Sequence, residues 1–229
     1  MDQSVRIIDT GDGSHSLLNT ALDETYHSRH GALQESEHVF IRHGLHAWLA
    51  QHPDADTIRI LEVGMGTGLN VILTVREALR HTETSFYYTT LEPYPLSQEI
   101  VTQLNYPTLL DDAGLESYFR ELHQAGWEED QSLTNNFTLH KTQNTLQALP
   151  MAADAYNLVY FDAFAPNKQA ELWECPVLEK VAERMVSGGI FVTYSAKGQL
   201  KRDLASIGLV VETLEGPPGK AEMVRASKL

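Results

Sequence analysis

Ile58-Arg-Ile-Leu-Glu-Val-Gly-Met-Gly-Thr-Gly-Leu-Asn70 is the stretch that decides the fold of this 229-residue chain. An apolar, β-rich run reaches the acidic residue Glu62, and glycines then recur at alternate positions, Gly64, Gly66 and Gly68. Glycine lets the backbone turn sharply and approach a ligand where a Cβ atom would collide with it. Strand, acid, glycine-rich turn and helix, in that order, are typical of a loop that binds a nucleotide cofactor.

The spacing of the glycines favours S-adenosylmethionine (SAM) over a dinucleotide. The dinucleotide fingerprint places its third glycine three residues after the second, whereas here Leu69 holds that place and the glycine comes one residue earlier. Glu62 can bind an ammonium group, which SAM carries and NAD lacks. We count Asn70, near the start of the predicted helix, among the candidate cofactor-binding residues. A tight strand-to-helix turn without a ligand is the alternative.

The composition is that of a globular protein outside the membrane. Hydrophobic residues make up 42% of the chain and charged residues 21%, which suits one domain of ordinary size. No apolar run reaches membrane-spanning length, and the N-terminus lacks the features of a signal peptide. A single cysteine, Cys175, excludes an internal disulfide and a cysteine-based zinc site. We therefore expect a cytoplasmic protein that does not act at a membrane.

The charge is strongly acidic and unevenly distributed. Lys and Arg number 17 and Asp and Glu 31, a net charge of −14. This balance argues against unspecific adhesion to DNA or RNA. From Asp162 onward, however, there are 9 basic and 9 acidic residues. A local basic face is one interpretation of the late basic residues, and solvated helix charges are the other. The residues concerned are Lys197, Lys201, Arg202, Lys220, Arg225 and Lys228.

The hydrophobic pattern alternates between strands and helices. A hairpin is predicted from Val5 to Leu18 around the turn at Asp12-Gly13, and a helix from Ser36 to Leu49. Predicted strands cover 58–63, 86–91, 137–141, 155–161, 190–194, 209–214 and 222–226, with helices at 69–79, 109–126, 176–186 and 199–207. Strands separated by helices indicate an α/β, Rossmann-like fold, a mostly parallel sheet covered on both faces. We expect residues 1–56 to form an extension packed on a domain of residues 57–229.

In such sheets, ligands bind beyond the carboxyl ends of the strands, where the strand order reverses. Glu92 ends the second strand of the alternation, where a carboxylate can accept hydrogen bonds from a ribose diol. After the third strand, Gln143 or Asn144 could accept a hydrogen bond from an adenine amino group. The sequence leaves open which of the two faces the ligand.

Asp162 is the candidate catalytic residue. It follows a buried strand and opens the loop Asp162-Ala-Phe-Ala-Pro166. Methyl transfer to an amine needs a neutral nitrogen, and a nearby carboxylate can take the proton from the ammonium form, directly or through water. Phe164 can stack on a flat substrate ring. The alternative makes Asp162 a turn-former and Phe164 a core residue.

Histidines are frequent between His27 and His52, but they do not predict a metal site. Pairs three residues apart, His27 with His30 and His43 with His46, have a spacing that can hold a metal on a helix. No carboxylate or cysteine arrangement completes a recognisable ligand set. We predict no metal.

These motifs together resemble the MnmC-type methyltransferase family, whose SAM-dependent domain completes the methylaminomethyl modification of the wobble uridine in bacterial tRNAs. The resemblance covers most of the chain. Its most specific part is the segment 162–173, in which DAFAP is followed by Lys168 and by Leu172-Trp173. It rests on GMGTGLN (64–70), LEPYPL (91–96), FDAFAPNKQAELW (161–173) and VTYSAKGQLKRDL (192–204), with HGALQESEHVFI (30–41) and PPGKAEM (217–223).

The resemblance implies a class I SAM-dependent methyltransferase with a seven-stranded sheet, the last strand antiparallel, and tRNA, at its anticodon region, as substrate. It places the family's aspartate in the loop after the buried strand on Asp162 and its glycine loop on residues 64–68. The acidic residue that binds the ribose in the family falls on Glu92. Lys168, Trp173 and Lys220 fall in loops that the family places around the substrate. The aspartate that contacts the adenine in the family appears here as Gln143 or is displaced. Some relatives also carry a flavin-dependent oxidase domain, which does not occur in this sequence.

Other functions compete with a tRNA methyltransferase. A small amine or polyamine as methyl acceptor would suit the acidic charge. An NAD-dependent oxidoreductase and a SAM- or RNA-binding module without catalysis belong to other classes. The sequence does not indicate an oligomeric state.

Overall fold

The structure, a computed structural model, describes residues 5–110, 113–148 and 152–229. It begins with a small antiparallel sheet of three strands, β1 (Val5–Asp9), β2 (His15–Asn19) and β3 (Glu24–Thr25). The Asp12 carboxylate closes the turn between β1 and β2 by accepting hydrogen bonds from the Thr10 hydroxyl at 2.9 Å and the Ser14 amide at 3.0 Å. The predicted hairpin is therefore confirmed.

One long helical segment follows this small sheet. It consists of α1 (Ala32–Ser36), a π-helical stretch (Glu37–His46) and α2 (Ala47–Gln51), so it begins four residues before the predicted helix. Its apolar side packs on the main sheet, where the ring of Phe40 lies 5.2 Å from that of Tyr160. Residues of the N-terminal region thereby share the main hydrophobic core.

The main sheet has eight strands in the order β10-β11-β9-β8-β4-β5-β7-β6. They are β4 (Thr57–Val63), β5 (Ser85–Leu91), β6 (Asp130–Thr134), β7 (Phe137–Thr142), β8 (Tyr156–Phe161), β9 (Met185–Thr193), β10 (Leu209–Glu215) and β11 (Glu222–Lys228). The five strands β9, β8, β4, β5 and β7 run parallel, and β11 pairs antiparallel with β9, as predicted. The additional strand β6 lies at the edge. Four of its five residues are polar, so the sequence carries no strand-like alternation there.

Helices connect these strands. They are α3 (Leu69–Arg80), α4 (Gln98–Val101), α5 (Tyr106–Leu109), α6 (Ala113–Gln124), α7 (Cys175–Arg184) and α8 (Gly198–Ser206), with a 3-10 turn at Ala170–Leu172. The helix predicted over 109–126 is thus divided, and residues 111–112 within it lie outside the described residues.

One expectation about the sheet is wrong in part. Helices were predicted to cover both faces, but no helix occurs in the described residues between β7 and β8. A polar groove lies over this part of the sheet, lined by Arg59, Tyr87 and His140 among others. Tyr87 is accordingly 40% exposed.

The core lies in two layers, one on each face of the sheet. Ile60, Tyr88 and Tyr160 pack with α3 and the N-terminal helical segment on one face. Val159 and Phe161 pack with α7 and α8 on the other. β4 and β8 are adjacent and parallel at the centre, and the chain proceeds from β4 to β5 on the opposite side. The strand order therefore reverses between the carboxyl ends of β4 and β8.

A buried ion-pair network fastens the N-terminal helical segment to α3. The Arg76 guanidinium donates to Glu37 on the π-helical stretch and to Glu77 on its own helix, the latter at 2.8 Å. Glu77, 2% exposed, also contacts His46 at 2.9 Å and Arg80 at 2.8 Å. Burial alone would raise the pKa of Glu77, but its hydrogen bonds and the nearby positive charges outweigh burial and lower the pKa to about 2.

No helix in the described part of the chain is long and apolar enough to cross a membrane.

We predict that Arg76→Met destabilises the protein by about 3 kcal/mol, because it removes one partner of a buried ion pair. The midpoint of urea unfolding measures this change. The same substitution at the exposed Arg42, on the N-terminal helical segment, is the control and should change stability by less than about 0.5 kcal/mol. Since the pKa of Glu77 is lower in the folded chain, its contribution is present above about pH 4.5 and is lost as the pH falls toward 2. Equal effects of the two substitutions would contradict the account.

Candidate active site

The glycine-rich turn joins β4 to α3 at the point where the strand order reverses. Gly64, Gly66 and Gly68 have φ values of 94°, 50° and 75°, a region that residues with a side chain rarely adopt. A Cβ atom on Gly64 would also lie 2.7 Å from the backbone oxygen of Asp162. The turn after β4 therefore approaches the loop after β8 in a way that only glycine permits. Between them lies a cleft of about 200 Å³.

Glu92 lies on the wall of this cleft, just beyond β5. One carboxylate oxygen accepts a hydrogen bond from the Gly66 amide at 2.9 Å, and the other accepts one from the Tyr94 amide at 3.0 Å. A carboxylate oxygen has two acceptor positions, so Glu92 can hold the glycine-rich turn and still accept from a ligand. Tyr94, 76% exposed, also lines the cleft.

The structure distinguishes between the two amides after β7. Asn144 lines the cleft, and its amide nitrogen donates to the Thr142 hydroxyl at 2.8 Å. The Gln143 side chain is exposed and is not part of the cleft wall; its backbone amide donates to Glu128 at 2.8 Å. Asn144 is therefore the residue of the pair placed to meet a ligand. Gln147, which the sequence analysis did not single out, also lines the cleft.

Asp162 lies in the cleft wall opposite the glycine-rich turn. Its Oδ2 accepts a hydrogen bond from the Asn70 amide nitrogen at 2.9 Å. Burial, together with the negative charges of Glu35 and Glu62, raises the pKa of Asp162 well above its usual range. A carboxylate with a raised pKa is a stronger base than an exposed one, as proton removal from a ligand requires.

Two of the predicted cofactor-binding residues lie beneath the cleft. Glu62 is fully buried and is not part of the cleft wall; its Oε2 accepts a hydrogen bond from the Thr90 hydroxyl at 2.6 Å. Asn70 is 2% exposed and supports Asp162 from below. Glu62 was predicted to bind an ammonium group; its side chain is buried beneath the cleft, beside Thr90, and this role stays a prediction.

Aromatic residues form a further wall of the cleft. Phe164, from the loop after β8, meets Tyr26 edge to face, with ring centroids 5.0 Å apart. Tyr26 also lies against the glycine-rich turn, since a Cβ atom on Gly66 would be 3.0 Å from its ring. Its neighbour His27 lines the cleft too, and burial lowers the pKa of His27 to about 4, so the imidazole is neutral near pH 7. Sequence reasoning missed Tyr26 because it lies some forty residues before the loop it touches.

The other predicted substrate residues hold loops in place. The Lys168 ammonium donates to the backbone oxygens of Leu22 at 2.7 Å and Asp23 at 3.0 Å. Trp173 is 7% exposed, and its indole N–H donates to the Phe164 backbone oxygen at 2.8 Å. Both residues therefore fix the loop that carries Asp162 rather than lining the cleft.

Lys220 lies close to the same loop. Its ammonium is 2.5 Å from the carboxylate of Glu35, which is 3% exposed on α1, and 3.8 Å from the ring centroid of Tyr194. The Tyr194 hydroxyl in turn donates to the Ala163 backbone oxygen at 2.9 Å. This chain of contacts connects the N-terminal helical segment and the loop between β10 and β11 with the loop after β8.

The late basic residues do not form a continuous basic face. Four of the six are in ion pairs: Lys201 with Glu222, Lys220 with Glu35, Arg225 with Glu212 and Lys228 with Asp154. Lys197 and Arg202 are exposed. In the parts of the chain that the structure describes, no three His, Cys, Asp or Glu residues are grouped so as to hold a metal ion.

Comparison with known proteins identifies the family of this chain. The sequence profile of a family described as S-adenosyl-L-methionine-dependent methyltransferase matches residues 115–229. The chain belongs to this family. Its fold is that of a class I SAM-dependent methyltransferase, and its cofactor is SAM.

Curated relatives and a solved structure agree with this assignment and confirm the MnmC resemblance. The tRNA 5-methylaminomethyl-2-thiouridine biosynthesis bifunctional protein MnmC of Idiomarina loihiensis is 27% identical over 219 residues, which cover 90% of this chain and 36% of the relative. Its counterpart in Burkholderia pseudomallei is 29% identical over 230 residues, 91% of this chain and 34% of the relative. The chain thus spans about a third of the length of these relatives. The crystal structure of MNMC2 from Aquifex aeolicus matches 97% of this chain and 70% of its own, with 25% identity and a TM-score of 0.80.

The residues of the methyltransferase cleft fit SAM. The backbone of the turn at Gly64 and Gly66 is open toward the cleft because these residues have no side chains. Glu92 offers acceptors for a ribose diol, and Asn144 offers an amide for the adenine edge. The buried Oε1 of Glu62 and Oδ1 of Asn70, which have no hydrogen-bond partner within the described structure, mark a polar layer directly beneath the turn.

We predict that Glu92→Gln weakens SAM binding about tenfold, equivalent to about 1.4 kcal/mol. The amide that replaces one carboxylate oxygen is a donor and faces a backbone N–H, so the contact with Gly66 or with Tyr94 is lost. Isothermal titration calorimetry gives the Kd. Glu99→Gln, an exposed substitution on α4, is the matched control. Equal affinity of both variants for SAM would remove Glu92 from the cofactor site.

Proposed function

We propose that this methyltransferase transfers a methyl group to the nitrogen of an aminomethyl group on the modified wobble uridine of tRNA, giving the methylaminomethyl form. The observation that carries the proposal is the position of Asp162, a carboxylate of raised pKa in the cleft wall opposite the glycine-rich turn. The MnmC relatives are named for tRNA 5-methylaminomethyl-2-thiouridine biosynthesis, which supports the choice of substrate. The likeness to MNMC2 over nearly the whole chain supports it too.

Asp162 would act as the base of the reaction. Alkylamines are mostly protonated near neutral pH, and an ammonium nitrogen has no lone pair with which to attack a methyl group. SAM supplies an electrophilic methyl group when bound. Asp162 would attract the ammonium form of the substrate, accept one of its protons directly or through water, and leave the nitrogen neutral. The hydrogen bond from Asn70 fixes the orientation of the carboxylate for this transfer.

The aromatic wall would receive the uridine base. Phe164 and Tyr26 are both half-buried and line the cleft, so part of each ring remains accessible to a ligand. An aromatic side chain can stack on a nucleobase that no longer stacks on its neighbouring bases. Lys168 and Trp173 would contribute indirectly, by holding the loop that carries Phe164 and Asp162.

Recognition of tRNA would depend on shape and on few charges. The net charge of −14 and the ion pairs of the late basic residues leave little surface for unspecific binding of phosphates. We therefore propose that the protein selects the anticodon region of tRNA, acts in the cytoplasm, and binds neither DNA nor a membrane. The proposed division into an extension (1–56) and a methyltransferase domain (57–229) assigns Tyr26 and Glu35 to the extension.

Nucleoside mass spectrometry of methylated tRNA tests the substrate. Incubation of the protein with SAM and tRNA that carries the aminomethyl uridine should convert this nucleoside to its methylaminomethyl form. Fully modified tRNA should accept no methyl group. Transfer to a small amine or polyamine but not to tRNA would replace the proposal with that alternative.

We predict that Asp162→Asn lowers kcat at least about 100-fold, the usual contribution of a general base, and changes the Kd of SAM less than about threefold. The asparagine retains an oxygen for the hydrogen bond from Asn70 but cannot take a proton near neutral pH. Asp203→Asn on α8 is the matched control for the loss of one negative charge. An unchanged kcat would show that Asp162 is not the base.

We predict that Phe164→Ala raises the KM for tRNA about tenfold or more, since a base stacked on an aromatic ring is worth about 1–3 kcal/mol. The affinity for SAM should stay within about twofold of wild type. Tyr87→Ala removes an exposed aromatic ring from the open sheet face and is the control. A loss of SAM affinity equal to the loss of tRNA affinity would contradict a substrate role for Phe164.

A further inference from the structure

Glu128 lies in the short segment between α6 and β6 and has an unusual backbone conformation. Its φ is 63°, in the left-handed region that residues other than glycine rarely adopt. A hydrogen bond from the Glu128 amide to the Lys141 backbone oxygen on β7, at 2.7 Å, holds this conformation. Glycine would adopt it without strain. Strained residues of this kind cluster where the side chain has a function.

The Glu128 carboxylate contacts the turn that follows β7. Its Oε1 accepts hydrogen bonds from the Thr142 hydroxyl at 2.9 Å and from the Gln143 backbone amide at 2.8 Å. Its Oε2 accepts a longer one from the Asn144 side-chain nitrogen at 3.4 Å. One exposed carboxylate thus contacts three consecutive residues, and the last of them, Asn144, lines the methyltransferase cleft.

These contacts determine which way the Asn144 amide faces. The Thr142 hydroxyl has one proton, which it donates to Glu128, so its oxygen can only accept from Asn144. It accepts from the Asn144 side-chain nitrogen at 2.8 Å and from the Asn144 backbone amide at 3.1 Å. The Glu128 carboxylate is an acceptor as well. Both neighbours of the amide therefore require its nitrogen, and the side-chain oxygen of Asn144 is left for a ligand.

An acceptor at this position distinguishes between purines. The 6-amino group of adenine is a donor, whereas the 6-oxo group of hypoxanthine is an acceptor and would meet the Asn144 oxygen with a second oxygen. Such a mismatch leaves both acceptors unpaired and lowers the affinity. An asparagine amide that could turn over would not make this distinction, because its nitrogen could then face the ligand.

We propose that Glu128 is a positioning residue that holds the Asn144 amide with its oxygen toward the cleft and so makes the cofactor site selective for a 6-aminopurine. It acts from outside the cleft wall, through the Thr142 hydroxyl and the Asn144 nitrogen. Asn144 then offers adenine the acceptor that a carboxylate would offer. This role requires SAM to bind with its adenine beside Asn144, and it does not depend on which methyl acceptor the enzyme uses.

Calorimetry with S-adenosylhomocysteine and its deaminated analogue S-inosylhomocysteine tests this selectivity without a methyl acceptor. The wild-type protein should bind the adenosyl compound at least about 30-fold more tightly, and Glu128→Gly should reduce this ratio at least about fivefold. Glycine suits a φ of 63°, so the substitution removes the carboxylate without straining the backbone. Asp154→Gly is the matched control. It replaces another acidic residue of positive φ, 49°, before β8 and away from the cleft, and should keep the wild-type ratio. An unchanged ratio in Glu128→Gly would overturn the proposal.

Exchange of the two polar groups separates this role from a general loss of structure. Glu128→Gln turns an N–H group toward the Asn144 nitrogen, and Asn144→Asp turns an oxygen toward the Glu128 carboxylate. Each single substitution should therefore weaken the binding of S-adenosylhomocysteine at least about fivefold. Together they restore a donor that faces an acceptor, and the double variant should bind within about threefold of wild type. Losses that simply add in the double variant would contradict the role proposed for Glu128.

Discussion

The close approach of the turn after β4 to the loop after β8 is the constraint on which the rest of the site depends. A side-chain carbon at Gly64 would lie 2.7 Å from the Asp162 backbone, so the two loops can meet only where a glycine turns the chain. This approach aligns the glycine-rich turn with Asp162 across one narrow cleft. It also encloses Glu62 and Asn70 beneath the turn, where water cannot reach their polar atoms.

Burial determines the chemistry of the carboxyl groups in this region. Glu62 and Glu77 are buried and Asp162 is half-buried in the cleft wall, and their partners differ. Glu77 has arginines and a histidine and a low pKa, whereas Glu62 has only uncharged donors and a high one. The pKa of Asp162 is raised well above its usual range by burial and by two carboxyl neighbours, although it has an amide donor and a nearby lysine. The partners of each carboxyl group therefore decide whether its pKa is low, as beside α3, or raised, as beneath and within the cleft.

The sequence predicted those features that depend on local pattern. The glycine spacing, the strand-end acids Glu92 and Asp162, and the parallel sheet follow from residues that are neighbours in the chain, whereas the antiparallel last strand was implied by the family resemblance. The contributions of Tyr26, which lines the cleft, and of Glu35, whose charge acts on Asp162, could not be predicted, because both residues lie far from Asp162 in sequence. The side-chain direction of Glu62 depends on which face of β4 each residue occupies, and the pattern of an almost entirely buried strand does not reveal that. The polar edge strand β6 escaped prediction because it has no hydrophobic alternation.

A crystal structure with bound SAM, or with its product S-adenosylhomocysteine, tests the central claim most directly. The account predicts that the sulfur atom lies between the glycine-rich turn and Asp162, with the ribose hydroxyls on Glu92 and the adenine beside Asn144. A ligand bound elsewhere, for example in the polar groove over Tyr87 and His140, would contradict it. So would a cleft that side chains close against the cofactor.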